Sequence, residues 1–418
     1  MKRSLLTFIL TVVFGIFFTS CKSDLETIAP QNSSAKGSAA AKSGIDDLKI
    51  LQFDPLLFKE KVDAFLNAQA LSGYSYSVFV NGKRVVEAEG RNGWARKNAD
   101  APAASFHPMV RQEVASCSKY ITTLAMLKML ERADLSLDTP IWPFLPTYMD
   151  PHPNFKNISF RQLLSYHSGL IGGIGDLQIS LAEMQQTVEG GINMSLYNNR
   201  QYNNMNFALC RVLLTYVYWE QVQKLGLKEI KQREANISNL DNLMANVFLS
   251  FVRTDVFKAA ELPNWGVLGA SDPSNQPVTM YYNSNTPTTP GVGIGGSNSI
   301  LNLGSVGFDL NAVELAQITA AARAGKIVSA ASMEAIKEGY KTFPLGFNNA
   351  AAGKYGQYYY KFGGATQNVN NLTGGLATMI VDFDGPLANV QVAVVSNQNN
   401  ANVTAINWIQ SAFDSSWK

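Results

Sequence analysis

The spacing of apolar residues changes twice along the chain and predicts strands near both ends with helices between them. Near the start, a helical period predicts a helix over Leu56–Gln69. Two β-rich runs follow, Tyr74–Val80 and Arg84–Glu89, and Asn81-Gly82 joins them. Asn-Gly favours a two-residue hairpin turn, because both positions accept a positive φ. The first hundred residues therefore predict a helix followed by an antiparallel hairpin.

Helical spacing dominates the middle of the chain, from Lys119 to about Val252. The segment after it, residues 263–300, is rich in Gly, Pro, Ser and Asn and is predicted to form loops. The clearest helices of the middle region are Phe160–Ser165, Phe207–Val222 and Ile237–Phe251.

After residue 300 the pattern passes from helices back to strands. The predicted elements are helices Asn311–Ala322 and Ser329–Glu338, strands Tyr355–Gly363, Leu376–Phe383 and Val390–Val395, and a terminal helix Ala401–Phe413. Strands at both ends indicate an α+β (mixed α/β) fold, in which one sheet has two halves separated by an inserted helical subdomain. We expect a sheet half over about 46–110 and 300–418, and a helical half over about 120–300.

Composition fits a globular protein and disfavours nucleic-acid binding. The chain has 418 residues, of which 46% are hydrophobic and 16% charged, so it can bury a substantial core. Its net charge is only +2, and no Lys/Arg cluster is interleaved with aromatic residues. Small molecules, peptides and membranes therefore remain as partner classes, and nucleic acid does not.

The first twenty residues have the organisation of a targeting signal. Lys2 and Arg3 are positive, Leu5 to Phe18 are apolar, and small residues precede Cys21. The apolar run is short for a transmembrane helix. A small-residue site that ends in Cys resembles the lipobox of bacterial lipoproteins, which implies cleavage before Cys21 and its acylation. The alternative is an ordinary secretory peptide with an incidental cysteine.

A lipobox implies a definite organisation of the chain. Residues 1–20 would be a signal peptide, and 21–45, rich in Ser, Ala, Gly and Lys, a flexible linker that begins at the lipidated cysteine. Residues 46–418 would form the folded domain. We expect the protein to be exported and lipid-anchored to the bacterial outer membrane, on its periplasmic or cell-surface face.

The other cysteines and the histidines do not suggest a metal site. Cys117 and Cys210 both lie in apolar helical contexts, so they are interpreted as two small buried residues, although a single disulfide is open in an exported protein. The three histidines are scattered, and no Cys/His cluster has zinc spacing. Neither a metal nor an organic cofactor is implied.

Ser116 and Lys119 are the strongest candidates for chemistry. Residues three apart on a helix share a face, so the Lys119 amine can reach the Ser116 hydroxyl. A lysine in a partly dry cleft can lose its proton and then accept one from serine. The same spacing recurs at Ser33–Lys36 and Ser415–Lys418, but only Ser116 leads into a long apolar helix. Context, and not spacing, singles out this pair.

Three segments together resemble serine β-lactamases and penicillin-binding proteins, most closely the class C β-lactamase and esterase branch. They are Ser116-Cys117-Ser118-Lys119, Leu135-Ser136-Leu137-Asp138-Thr139-Pro140 and Leu163-Leu164-Ser165-Tyr166-His167-Ser168-Gly169-Leu170. The resemblance spans about residues 50–415. It implies an antiparallel sheet with flanking helices, an all-α half, and a catalytic site between the two.

The resemblance implies a second motif, Tyr-x-Asn, on a loop of the helical half. Its tyrosine shares the proton transfer with the lysine, and its asparagine orients the substrate. Tyr197-Asn198-Asn199, Tyr202-Asn203-Asn204 and Tyr281-Tyr282-Asn283 all fit. We select Tyr202 and Asn204, because they open a helix and follow Ser116 at a family-like distance.

The third motif of the family is Lys- or His-x-Gly on a strand that lines the site. Lys361-Phe362-Gly363 and Lys354-Tyr355-Gly356 both fit, and we favour the former because Gly364 follows it. The resemblance implies that Lys361 supplies positive charge for a substrate carboxylate and for the electrostatic field of the site, and that the Ser116 and Gly364 amides form the oxyanion hole. Phe362 departs from the family, which often has Thr or Gly at this position.

Other catalytic patterns fit less well. Leu303-Gly304-Ser305-Val306-Gly307 lacks the first glycine of a nucleophile elbow, and its glycines are expected to serve packing. His167 resembles the family's structural histidine and is not expected to be a base. The deacylating glutamate motif of class A β-lactamases is not recognisable.

The sequence thus predicts a serine hydrolase that forms an acyl-enzyme with an ester, amide or β-lactam carbonyl. Within this class, esterase-like or D-alanyl-peptidase-like activity is favoured over a dedicated β-lactamase because of Phe362. The alternative is a non-catalytic surface lipoprotein that binds peptide or glycan in the same cleft.

Overall fold

An antiparallel sheet, built from the two ends of the chain, organises the fold. The structure is a computed structural model, and it describes residues 51–173, 179–235, 237–270, 278–283, 292–295 and 299–418. Cys21 and the predicted signal and linker segments lie outside the described residues. Leu51–Lys418 forms one compact unit. Among the described residues, no helix has the length and apolarity needed to cross a membrane.

The strands follow the β-rich runs of the sequence. They are β1 Gly73–Val80, β2 Lys83–Arg84, β3 Gly90–Arg96, β4 Ala104–Ser105, β5 Gln112–Glu113, β6 Asp309–Leu310, β7 Asn349–Gly353, β8 Gly356–Val369, β9 Leu372–Asp384 and β10 Asn389–Ser396. The main sheet has the order β4-β3-β1-β10-β9-β8-β7, with β2 paired to β1, and β5 pairs with β6 in a separate two-stranded ladder. In the centre, Tyr74 of β1 pairs with Ser396 of β10, so the N-terminal strands and the C-terminal strands form one sheet.

The helices occupy the predicted regions. They are α1 Pro55–Asn67, α2 Ser118–Ala133, α3 Phe160–Leu164, α4 Leu181–Gly190, α5 Met205–Val217, α6 Leu227–Glu234, α7 Ile237–Val252, α8 Ala312–Arg323, α9 Ala330–Glu338, α10 Ala401–Thr404 and α11 Ile406–Asp414. Six of them, α2 to α7, come between the two groups of strands. The predicted α+β class, with an antiparallel sheet and an inserted all-α subdomain, is confirmed.

Both faces of the sheet are covered by apolar packing. Along β10, Ala393 and Val395 belong to the large core that contains the helical half, whereas Val392 and Val394 belong to a second core with residues of α1 and α11. Alternate residues of a strand point to opposite faces, so a strand that is covered on both sides needs apolar residues at every position. This explains the apolar run Val392–Val395, while the buried Gln391 donates to Asp382.

Three predicted elements differ in detail. Only Lys83–Arg84 pair as the second arm of the first hairpin, because a 3-10 turn at Val86–Ala88 shifts the chain and lets β3 pair with the first half of β1. Strands β8 and β9 extend beyond their predicted ends into a hairpin whose turn, Asn370-Asn371, has positive φ at both residues. The terminal helix is interrupted at Ala405, whose backbone is extended.

Candidate active site

Ser116 lies in a tight turn at the boundary between the sheet and the helical half. The turn is a 3-10 segment, Ala115–Cys117, between β5 and the start of α2. Ala115 has a positive φ of 44°, which is uncommon for a residue other than glycine and holds the turn in a bent path. Ser116 therefore precedes the first residue of α2, whereas Lys119 lies in its first turn.

Lys119 is fully buried and donates to three oxygens. Its Nζ is 3.1 Å from Ser116 Oγ, 2.7 Å from Asn204 Oδ1 and 2.8 Å from the carbonyl oxygen of Ser305. None of these acceptors is a carboxylate, so no negative charge offsets the loss of hydration around the ammonium. Burial accordingly lowers the pKa of Lys119 to about 7. At neutral pH this amine can both hold a proton and release it.

Tyr202 provides the second side-chain contact of the Ser116 hydroxyl. Its hydroxyl is 2.7 Å from Ser116 Oγ, and the residue remains 38% exposed to the cleft. Tyr202 and Asn204 lie on the loop that enters α5, where Asn204 is the residue before the first helical turn. The structure thus brings Ser116, Lys119, Tyr202 and Asn204 into one hydrogen-bonded group.

The two rival Tyr-x-Asn segments are engaged elsewhere. The Tyr197 hydroxyl donates to the carbonyl oxygen of Asn157 at 3.0 Å. The Tyr281 hydroxyl is buried and accepts from the backbone N–H of Glu113 at 2.9 Å. Neither tyrosine lines the cleft around Ser116.

Gly363 brings strand β8 against the nucleophile turn. A Cβ at this position would lie 2.6 Å from the carbonyl oxygen of Val114 and 2.8 Å from the amide nitrogen of Ser116. Both distances are far below a normal contact, so only glycine allows this approach. Gly364 is exposed and lines the same cleft, and the nearest atom to a Cβ there would be Asn399 Oδ1, at 3.4 Å.

Lys361 lies behind Tyr202 and not on the surface of the cleft. Its side chain is fully buried behind Tyr202, with Nζ 3.4 Å from the hydroxyl of Tyr166 and 5.2 Å from the centre of the Tyr202 ring. Strand alternation explains this, because Lys361 and Gly363 point into the core, whereas Phe362 points out and is 38% exposed. The Lys361 side chain is therefore not part of the cleft wall. The rival Lys354 is exposed at the turn between β7 and β8.

The cleft around Ser116 has a volume of about 550 Å³. Its walls are formed by Ala115, Ser116, Arg200, Tyr202, Asn204, Val306, Asn348, Phe362, Gly364, Ala365 and Thr366. A second cavity of about 530 Å³, which includes Trp142 and Glu220, contains none of the predicted site residues.

Sequence reasoning missed two residues of this site. Arg200 is a cation that lines the cleft; its Nη2 donates to the carbonyl oxygen of Asn348 at 2.9 Å, and its guanidinium stacks over Tyr166. Ser305 contributes a backbone carbonyl to Lys119, which no side-chain pattern reveals. Arg200 stands two residues before Tyr202, and that proximity is the one available signal.

Other polar candidates serve structure. His167 is buried, and its Nδ1 lies 2.8 Å from the carbonyl oxygen of Ser165, while burial lowers its pKa. Gly304 has a φ of +101°, and a Cβ there would lie 2.3 Å from the carbonyl oxygen of Phe207.

Cys117 and Cys210 are free and buried, so they form no disulfide with each other. Within the described ranges, no group of three or more His, Cys, Asp or Glu side chains could hold a metal ion.

Comparison with known proteins shows which family and which solved structures this chain resembles. A beta-lactamase family model matches residues 58–224, the segment that carries Ser116, Lys119 and Tyr202. No curated protein matches the chain by sequence. Among solved structures, the chain is similar to SurE, with 14% identity, a TM-score of 0.60, and coverage of 86% of this chain and 74% of SurE.

Two further structures show the same fold. FmtA from Staphylococcus aureus has 14% identity and a TM-score of 0.59, with 85% of this chain and 89% of FmtA covered. A class C beta lactamase from Rhodobacter sphaeroides has 12% identity and a TM-score of 0.57, with 86% and 97% covered. Over residues 58–224 the chain resembles the beta-lactamase family, and its fold is that of β-lactamases and penicillin-binding-protein homologues.

Proposed function

We propose that this protein is a serine hydrolase that forms an acyl-enzyme on Ser116 with an ester, amide or β-lactam carbonyl. The observation that carries the proposal is the contact of Ser116 Oγ with both Lys119 Nζ, at 3.1 Å, and the Tyr202 hydroxyl, at 2.7 Å. A serine hydroxyl is a weak nucleophile until a neighbouring group takes its proton, and here two candidates touch it.

Acylation would proceed in two proton transfers. Ser116 Oγ attacks the carbonyl carbon while its proton passes to neutral Lys119 or through Tyr202, and the carbonyl π electrons move to the oxygen. The amides of Ser116 and Gly364 would hold that oxyanion. Tyr202 then delivers the proton to the leaving group as its bond to carbon breaks. In deacylation, water replaces the leaving group and the same protons travel in reverse.

Asn204 and the cleft walls would position the substrate. The Asn204 carbonyl oxygen accepts from Lys119, so this residue also fixes the direction of the amine. Phe362 is partly exposed where the family often has a small residue, and Lys361 is withdrawn behind Tyr202. The bulky Phe362 in this wall favours esterase-like or peptidase-like chemistry over dedicated β-lactam hydrolysis.

Labelling by a fluorophosphonate probe tests the nucleophile. Ser116→Ala should abolish labelling, whereas Ser118→Ala should retain it, because Ser118 is buried two residues away and does not reach the cleft. Turnover of nitrocefin, p-nitrophenyl acetate and a D-Ala-D-Ala peptide, measured side by side, separates the three activities. Undiminished labelling of Ser116→Ala would overturn the proposal, and binding of substrate without turnover would favour the non-catalytic alternative.

We further propose that the protein is exported and lipid-anchored through Cys21, on the basis of its N-terminal sequence. The test is metabolic labelling with an alkyne fatty acid, followed by membrane fractionation. Cys21→Ser should lose the label and release the protein from membranes, whereas Cys210→Ser should keep both, since Cys210 is buried in α5. A labelled Cys21→Ser variant would contradict the proposal.

A further inference from the structure

The helical half contains a second cavity, of about 530 Å³, apart from the cleft around Ser116. It lies between residues 142–151, in the connection from α2 to α3, and the end of α5 together with α6. Its size is within the range of small-molecule sites in proteins, about 300–1,000 Å³. Neither Lys119 nor Tyr202, the two side chains on the Ser116 hydroxyl, lines it. The cavity therefore has no role in the acylation chemistry proposed above.

Glu220 gives this cavity its charge. Helix α5 ends in a single π-helical turn, Tyr218–Val222, which carries Glu220. Such turns are rare and are frequent at functional sites. The Glu220 side chain is half-buried, and in the described part of the chain it forms no hydrogen bond or ion pair. Among the described residues that line the cavity, it is the only charged one.

A second carboxyl group lies close to Glu220 and is already hydrogen-bonded. Glu234 of α6 is buried, and its oxygens accept from the Thr147 backbone N–H at 2.6 Å, the Tyr216 hydroxyl at 2.6 Å and the Thr147 hydroxyl. Burial, and then the negative charge of Glu234, raises the pKa of Glu220 to about 7. A carboxylate in such surroundings is stabilised strongly by a positive charge that is brought to it.

The rest of the wall is mostly apolar and includes an exposed tryptophan. Trp142 lines the cavity and is 40% exposed. Its ring already attracts one ammonium group, because Lys156 Nζ lies 5.1 Å from the ring centre. Lys156 is itself exposed and outside the wall, so water screens its charge. The aliphatic part of the wall includes Leu145, Met149, Leu225 and Ile230.

This wall suits an organic cation better than other ligands. An anion would find no counter-charge, since no cation is among the described residues that line the cavity. A divalent metal ion needs several oxygen ligands, whereas Glu220 is the one carboxylate in this lining. A purely apolar ligand would cover the Glu220 carboxyl without giving it a partner, which costs free energy.

We propose that this cavity binds a small primary ammonium ion with an apolar body, with the ammonium group on Glu220 and the apolar body against Trp142 and the aliphatic wall. Such a ligand supplies the positive charge that Glu220 lacks among the described residues. The site is separate from the cleft around Ser116, so the inference does not depend on the proposed function.

Titration of the full-length protein with 2-phenylethylammonium tests the site. In protein labelled with ¹⁵N at the tryptophan indoles, the Trp142 resonance, assigned by its loss in Trp142→Phe, should shift and saturate as this probe is added. The neutral 2-phenylethanol has the same ring and chain and should bind at least about tenfold more weakly. The resonance of Trp94, which is exposed but outside the cavity, should stay in place.

Two variants locate the ammonium group. Glu220→Gln keeps the shape of the side chain without its charge and should weaken binding of 2-phenylethylammonium at least about tenfold. Glu338→Gln, which changes an exposed carboxyl group of α9 outside the cavity, should not. The comparison of the two probes uses the wild-type protein, so the test does not depend on the folding of a variant.

Three results would overturn the inference. They are a Trp142 resonance that 2-phenylethylammonium does not shift, equal affinity for the charged and the neutral probe, and unchanged affinity in Glu220→Gln. None of these measurements depends on turnover at Ser116, so they leave the proposed function to its own test.

Discussion

At the scale of single residues, the site depends on removing two amines from water. Lys119 and Lys361 are both fully buried, and burial lowers the pKa of each, to about 7 and about 8. The proposed reaction needs neutral Lys119, which is present in the pH interval near and above its pKa of about 7.

The first prediction concerns the acid side of this interval. Lys119 is protonated below about pH 7, its pKa, and cannot then accept a proton from Ser116. We expect kcat/KM for p-nitrophenyl acetate to fall about tenfold per pH unit below pH 7. Lys119→Arg should lose activity at every pH, because a guanidinium does not release its proton. A rate that stays constant from pH 7 to pH 5.5 would contradict Lys119 as the base.

The second prediction compares two adjacent glycines. Gly363→Ala places a methyl group within 2.8 Å of the Ser116 amide and should reduce probe labelling at least about a hundredfold, because the nucleophile turn must move. Gly364→Ala meets its nearest atom at 3.4 Å and keeps its backbone N–H, so its loss should be much smaller. Labelling rates of the two purified variants decide this, and equal losses would contradict a special need for glycine at residue 363.

At the scale of elements, the short β5–β6 ladder places an acid beneath the nucleophile turn. Glu113 of β5 pairs with Asp309 of β6 and is almost completely buried. Burial raises the pKa of Glu113 from its usual 4.5 to about 7. The folded protein therefore binds this proton more tightly than the unfolded chain does.

The third prediction follows from that difference. A carboxyl whose folded pKa is raised contributes stability that is present below pH 4.5 and is lost as the pH rises to 7. Relative to wild type, Glu113→Gln should gain about 3 kcal/mol of unfolding free energy between pH 4.5 and pH 8. Denaturant unfolding at the two pH values measures this gain. A pH-independent difference for Glu113→Gln would contradict the assignment.

The elements also show where sequence reasoning succeeds. Helices α5 and α7 and strand β10 can be predicted because periodicity or a run of mostly apolar residues indicates burial directly. The β8–β9 extension is not predicted, because Gly, Asn and Thr are frequent in it and interrupt the apolar pattern of a strand. Motifs are enough to select Ser116, Lys119, Tyr202 and Asn204, but the burial of Lys361 depends on strand register, which a motif does not contain. Arg200 and the Ser305 carbonyl come to lie at the site only when the chain folds, and no motif contains them.

At the scale of the whole molecule, the two ends of the described chain are paired. The backbones of Gln52 and Lys418 exchange two hydrogen bonds, and Phe53 packs against Phe413 and Trp417. Asp54 caps α1 and forms an ion pair with Lys418. The segment just before α1 therefore belongs to the core covered by α1 and α11.

The fourth prediction tests that boundary with two truncations. A chain of residues 51–418 is the reference, because Leu51–Lys418 is a compact unit by itself. A chain of residues 56–418 loses Phe53 and the Asp54 cap and should be less stable by about 3–5 kcal/mol. Calorimetry of both measures the difference. Equal unfolding temperatures for the two truncations would contradict the role of Phe53.

The pairing of β1 with β10 has a consequence for the folding of the protein during its synthesis. Strand β1 ends at Val80, and its central partner does not begin until Asn389. A ribosome adds about 5–20 residues per second, so β1 waits on the order of 15–60 s for its neighbour. Through that interval a strand rich in apolar residues has an open edge, which attracts other chains. We therefore expect newly made protein to be prone to association through this edge until β10 has been synthesised.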